Sequence, residues 1–135
     1  MKSAFIESQG GYRTRVTHTS SGETCLTDAP KDHHGKGESF SPTDLIAAAA
    51  GSCMITTMDI AAEEHDIHLG KVSCEVEKIM ADGPRRIISL NIIITFEDPN
   101  LNEADKTILE QKALNCPVLM SLHPEIIVNL RFNYA

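Results

Sequence analysis

The run from Leu45 to Ala62 constrains this chain more than any other feature, because it is apolar along almost its whole length. A run of that kind is either a membrane span or a helix buried in a protein core. It is rich in Ala, and Gly51, Ser52, Thr56, Thr57 and Asp59 interrupt it. An Asp at mid-membrane costs roughly 2.5–3.5 kcal/mol, which Ala and Thr do not repay. The run is therefore read as a buried helix. Ser41 suits its N-cap, Pro42 suits the first helical position, and Asp44 sits where a carboxylate favours the helix dipole. The helix is expected to run to about His65, apolar on nearly every face through its first five turns, and so to lie at the centre of the core.

The rest of the chain alternates between strand and helix signals. Residues 1–8 and 12–19 suit strands, with Gly10-Gly11 as a hairpin turn between them. A turn at Ser20-Ser21-Gly22 leads to a third strand over about 23–28, and 30–40 is a loop rich in Gly, Lys, His and Pro. After the helix, Val72, Cys74, Val76 and Ile79 follow a rough period of two. Asp82-Gly83-Pro84 is a turn. The β-branched run Ile87 to Phe96 is the best candidate for a buried strand, and Asp98-Pro99-Asn100 breaks it. A second helix is expected over about 102–115, and a short third one over 118–122. A final strand, 126–132, places Ile126, Val128, Leu130 and Phe132 on one side. The order β-β-β-α-β-β-α-α-β is an α+β pattern. The 135 residues are enough for one domain with its own core. So apolar a helix, flanked by sheet, suggests a homodimer whose two chains enclose the central helices.

Composition narrows the function. The net charge is −7, and Lys and Arg form no stripe. A nucleic-acid groove needs positive charge and, for single strands, stacking faces. Neither nucleic acid nor an anionic membrane surface is an expected partner. The N-terminus, Met1 to Ile6, lacks a signal-peptide core, so a cytoplasmic location is expected.

The four cysteines are Cys25, Cys53, Cys74 and Cys116. None forms a C-x-x-C or Cys/His ligand pattern, so neither a metal site nor a cofactor is expected. His33-His34 reads as a pair of solvated loop histidines, and His65 and His68 likewise. Cys74 alternates with Val72 and Val76 and reads as core packing. Cys25 reads as a partly exposed thiol in a short strand. No sequence feature aligns a His with a cysteine as a hydrolase would need. On the residues alone Cys116 is the more reactive thiol, because it opens a helix and feels the positive end of its dipole. Cys53, inside an apolar helix, reads as a small buried hydrophobe whose thiol burial would keep protonated.

The segment Phe40-Ser41-Pro42-Thr43-Asp44-Leu45-Ile46-Ala47-Ala48-Ala49-Ala50-Gly51-Ser52-Cys53 resembles the signature of the OsmC/Ohr family. There, a loop and a proline open the central helix, and a small-residue run leads to the first cysteine. Ala113-Leu114-Asn115-Cys116-Pro117-Val118 resembles the family's second cysteine box, and the spacing of 63 residues fits. The resemblance spans nearly the whole chain. It implies an OsmC-like fold, antiparallel sheets around a long central helix, in an intertwined homodimer with active sites at the subunit interface. It also implies a thiol peroxidase acting on organic hydroperoxides. Cys53 becomes a sulfenic acid, Cys116 condenses with it to a disulfide, and a small thiol or dihydrolipoyl-type reductant resets the pair.

Such chemistry needs a cation beside Cys53. In the family it is an arginine from an N-terminal strand, held by a glutamate directly after the signature proline. Arg13 and Arg15 are the candidates here; both lie on one face of their strand, and Arg15, deeper in it, is preferred. Thr43 occupies the glutamate position and cannot hold an arginine by charge. Glu38, in the preceding loop, and Asp44, about 100° further round the helix, are the carboxylates that could stand in. This departure points to an OsmC-like branch lacking the usual glutamate. It leaves two other readings: a redox-responsive or ligand-binding protein with little catalysis, and a structural dimer with inert thiols.

Overall fold

The structure is a computed structural model that describes residues 1–97 and 100–134. Most of the break expected at Asp98-Pro99-Asn100 falls outside them. The chain divides into two compact units, Met1–Ile46 and the chain from Ala47 onward.

The N-terminal unit is built on an antiparallel meander of β1 (Ala4–Gly10), β2 (Arg13–His18) and β3 (Thr24–Asp28). Gly10, Gly11 and Tyr12 all take left-handed backbone at the first turn, as the paired glycines foretell. The second turn closes when the His18 N–H donates to the Glu23 carbonyl at 2.7 Å and the Gly22 N–H to the His18 carbonyl at 2.9 Å. The 30–40 loop contains one turn of 3-10 helix, Lys31–His33, which composition gave no reason to expect. It returns alongside β3 through a parallel bridge between Thr27 and Phe40.

The helix α1 spans Pro42–Glu64. Its first turn is fixed by a reciprocal cap. The Asp44 N–H donates to the Ser41 hydroxyl at 3.0 Å, and the Ser41 N–H donates to the Asp44 carboxylate at 3.0 Å. This is the capping-box exchange, with Asp in the acid position.

The C-terminal unit holds the rest of α1, the strands β4 (Val72–Ala81), β5 (Arg86–Phe96) and β6 (Ile127–Tyr134), and the helices α2 (Glu103–Leu114) and α3 (Pro117–Ser121). β4 and β5 form an antiparallel hairpin around the turn at Asp82-Gly83-Pro84. β6 pairs with β5 in parallel, from Ser89↔Ile127 to Phe96↔Tyr134. The sheet is therefore mixed, which corrects the expectation of purely antiparallel sheets. The chain leaves β5 at one end and travels back through α2 and α3 before β6 begins. A helical crossover of this kind delivers a parallel neighbour.

The core lies between α1 and this sheet. Ala47, Ala50, Met54, Met58 and Ala62 of α1 pack with Leu90, Ile92, Ile94 and Phe96 of β5, and Leu109, Ala113 and Cys116 complete the cluster. The helical spacing of three, four and seven marks one buried face. The opposite face is not buried within the chain: Ala48, Ala49, Ser52, Thr56, Asp59 and Ile60 are exposed. By length and hydropathy alone α1 would pass for a membrane span, yet its buried stripe packs on the sheet. Ile79 points outward at 37% exposure. Regular alternation puts it on the side of β4 opposite Val72, Cys74 and Val76, and the pairing stays in register as far as Ile79↔Ser89.

Candidate functional site

Cys53 sits in the middle of α1 between the exposed Ser52 and the buried Met54. Its carbonyl accepts a hydrogen bond from the Thr57 hydroxyl at 2.8 Å, so this stretch of helix is held from within. Its thiol is partly exposed, at the border between the buried stripe and the open face.

Cys116 occupies the joint between α2 and α3. It is the N-cap of α3, with Pro117 directly after it and extended backbone, as expected before a proline. Its N–H donates to the Ala113 carbonyl at 3.3 Å, and its carbonyl accepts from the Met120 N–H at 3.1 Å. Both ends of the joint are thereby fixed, and the side chain is driven inward to full burial. The Cys53 thiol is a neighbour of the Cys116 thiol. Both are free cysteines.

Burial pushes the Cys116 thiol above its ordinary range. The N–H of Leu119 pulls the other way, the neighbouring Cys53 raises it further, and the N–H of Val118 adds a smaller lowering. The start of α3 does favour a thiolate, as the position of Cys116 suggested, but enclosure outweighs it. Enclosure thus opposes the lowering that the helix start gives the Cys116 thiol.

Of the two candidate arginines, Arg13 is the one held. Its Nε donates to Asp28 Oδ1 at 2.7 Å and its Nη2 to Asp28 Oδ2 at 2.9 Å. Glu38 adds a looser contact, Oε1 lying 3.7 Å from Nη2, while its backbone N–H donates to Asp28 Oδ2 at 2.9 Å. Arg15, preferred for its depth in the strand, is exposed, opposite Glu7 on one side and Leu26 on the other. Asp44 is engaged in the cap of α1. The carboxylate that grips the arginine is thus Asp28, with Glu38 in support, and Asp28 was not among the residues expected. Its signal is register: Arg13 faces Asp28 directly across the β2–β3 pair. That pairing follows once strands 12–19 and 23–28 are folded about the turn between them.

The other cysteines lie apart from this arrangement in character. Cys74 is half-buried beneath α1 at Gly51, and burial raises its thiol. Cys25 is exposed on β3. His33 and His34 are adjacent rings, and His34 also tilts against Tyr12. Among the described residues no three His, Cys, Asp or Glu side chains group as metal ligands.

A family model described as OsmC-like protein matches residues 35–131. A Psychrobacter arcticus 273-4 protein, described provisionally as an osmotic stress induced and detoxification response protein, is 38% identical. The match covers 100% of this chain and 96% of that one, with a TM-score of 0.90. An organic hydroperoxide resistance protein OsmC from Legionella pneumophila is 20% identical, with a TM-score of 0.71 over 100% of this chain and 98% of that one. An organic hydroperoxide resistance protein from Elizabethkingia anophelis is 14% identical, with a TM-score of 0.78 over 100% and 98%. The last two establish likeness of fold alone. No curated protein matches the chain in sequence.

Proposed function

The chain belongs to the OsmC-like protein family, and we propose that it is a thiol-dependent peroxidase that reduces organic hydroperoxides through Cys53 and Cys116. The observation that carries this reading is the nearness of two free cysteines of unequal exposure, Cys53 at the border of the core and Cys116 inside it. The Cys53 thiolate attacks the terminal peroxide oxygen. The O–O bond breaks, the alcohol leaves with a proton, and Cys53 becomes a sulfenic acid. The Cys116 sulfur then attacks the sulfenic sulfur, and its proton departs with the hydroxyl as water. Two thiol equivalents, from a small thiol or a dihydrolipoyl-type dithiol, return the disulfide to two thiols.

In this proposal Arg13 takes the supporting role that the resemblance assigns to an arginine of an N-terminal strand. Two parallel hydrogen bonds to Asp28 fix its guanidinium plane as a flexible side chain alone would not. Asp28 and Glu38 thus supply the carboxylate that Thr43 cannot.

The protein acts as a cytoplasmic homodimer. The support lies in apolar surface left open on one chain: Phe5, Ile6, Ile60 and Met120 are each more than half exposed, and all of β1 is exposed. Surface of that kind marks an interface.

A second reading is favoured by Thr43: a redox-responsive OsmC-like protein with little turnover. Steady-state consumption of cumene hydroperoxide with dihydrolipoamide separates the two. The peroxidase reading expects turnover in wild type and none in Cys53→Ser. Equal consumption by both proteins would refute it.

A further inference from the structure

We propose that the outer face of the β4–β5–β6 sheet is an interface between copies of this chain. A second copy packs its own outer face on it, about a two-fold axis that runs along β5. The contact is independent of the peroxidase reading. α1 packs on the inner face of this sheet, so the outer face takes no part in enclosing the central helices.

Strand register arranges the outer face in rows. Glu75, Ile93 and Arg131 lie side by side across β4, β5 and β6. Glu77, Asn91 and Asn129 form the next row, and Ile79, Ser89 and Ile127 the one after it. The middle row is knit within the chain: Asn91 Nδ2 donates to Glu77 Oε1 at 2.9 Å, and Asn129 Nδ2 donates to Asn91 Oδ1 at 2.9 Å. The rows on either side are not. Glu75 and Arg131 are exposed two strands apart, about 10 Å. Among the described residues neither has an ion-pair partner. Ile79 and Ile127, on the two edge strands, are 37% and 62% exposed.

One symmetry operation makes this pattern complementary to itself. A two-fold axis along β5 keeps each row at its own level and exchanges β4 with β6. It sets Glu75 against Arg131 of the second copy, and Arg131 against that copy's Glu75. It sets Ile79 on Ile127 twice over, with Ile93 on Ile93 at the centre. In the middle row Glu77 meets Asn129, an amide donor for a carboxylate. An axis across the strands through the middle row would instead set Glu77 on Glu77, Ile79 on Glu75 and Ile127 on Arg131. Charge and apolar surface together therefore select the axis along β5. A shallow depression of about 290 Å³ between Glu75, Glu77, Asn91 and Ile93 lies where the second copy's Arg131 arrives. Its two carboxylates suit a guanidinium. The result is an isologous contact of aligned sheets.

The size of the face sets the strength. Three strands about 4.8 Å apart and about eight residues long cover roughly 350–400 Å² per chain. A standard stable interface buries about 800 Å² per partner. The contact is therefore reversible, joins one homodimer to the next as concentration rises, and weakens as salt screens the paired charges.

Sedimentation velocity on the full-length protein, from micromolar to millimolar concentration, tests this. Wild type is expected to shift to larger species as concentration rises, and less so in high salt. Arg131→Glu sets Glu against Glu in both pairs and is expected to weaken the association by about tenfold or more. Glu75→Arg combined with Arg131→Glu restores opposite charges and is expected to recover it, which also excludes misfolding as the cause of the loss. A single species at every wild-type concentration would overturn the proposal. So would undiminished association in Arg131→Glu, or no recovery in the double variant. The species left after Arg131→Glu separates the two contacts: a dimer retains the homodimer proposed above, whereas a monomer removes that homodimer and leaves the outer-face contact standing.

Discussion

Arg13 grips Asp28 through two parallel hydrogen bonds, Nε to Oδ1 at 2.7 Å and Nη2 to Oδ2 at 2.9 Å. The Asp28 carboxylate is held below its ordinary range, first by the hydrogen bond from Arg13, with burial opposing and the Glu38 N–H assisting. A depressed folded-state value stabilises the protein above the unfolded-chain value, about 3.9 for Asp. That stabilisation is lost as pH falls through the lower folded value. Asp28→Asn is therefore expected to melt below wild type at neutral pH, with a steady gap down to about pH 5 that narrows as pH falls below the unfolded-chain value. Melting curves across that range check it, and a gap unchanged at the lowest pH would contradict the charge pairing.

Gly51 is a point of close approach between α1 and β4. A Cβ there would lie 3.0 Å from Cys74 Sγ and 3.0 Å from Val76 Cγ2. Helix propensity favours replacing a glycine by about 1 kcal/mol for Ala, but overpacking costs about 1–3 kcal/mol. Gly51→Val, which adds three carbons and gains less propensity, is expected to lose about 2 kcal/mol or more. Trimming the opposing side with Cys74→Ala should restore part of that loss, and urea unfolding of the single and double variants measures it. No recovery in the double variant would mean that the contact is not the cause.

The cap of α1 is a separate device from the arginine clamp. Ser41→Ala removes the hydroxyl that receives the Asp44 N–H, and is expected to lower stability by about 1 kcal/mol. Peroxide turnover per folded molecule should be unchanged. Chemical denaturation paired with an activity assay tests both halves.

Native alkylation should follow exposure. Cys25 is exposed, Cys53 partly so, and Cys116 fully buried with a raised thiol. Iodoacetamide is expected to label Cys25 first, Cys53 next and Cys116 last, read by timed quenching and peptide mass. Labelling of Cys116 before Cys53 would reverse the roles given to them.

What the sequence discloses here depends on the range of the interaction behind each feature. The start of α1 was legible because Ser41, Pro42 and Asp44 act within one turn. The strands were legible because side-chain alternation is local, as at Val72, Cys74 and Val76. The direction of β6 was not, because its pairing with β5 is set by how α2 and α3 carry the chain back. The bulge between Ile79 and Met80 likewise depends on the partner strand. At the site, the cysteine motifs stood out, but the grip of Asp28 on Arg13 is a matter of register between two strands. The raised Cys116 thiol has the same origin. A helix start is visible in Cys116-Pro117, whereas the packing that encloses the thiol comes from elements distant in sequence.

The most direct measurement is thiol accounting by intact mass, before and after one equivalent of cumene hydroperoxide, on wild type and Cys116→Ser. The peroxidase reading predicts fast loss of two hydrogens in wild type, mapping to a Cys53–Cys116 disulfide, and a single added oxygen on Cys53 in the variant. Unchanged masses at stoichiometric peroxide, or oxygen added to Cys116 or Cys25 in place of Cys53, would contradict it.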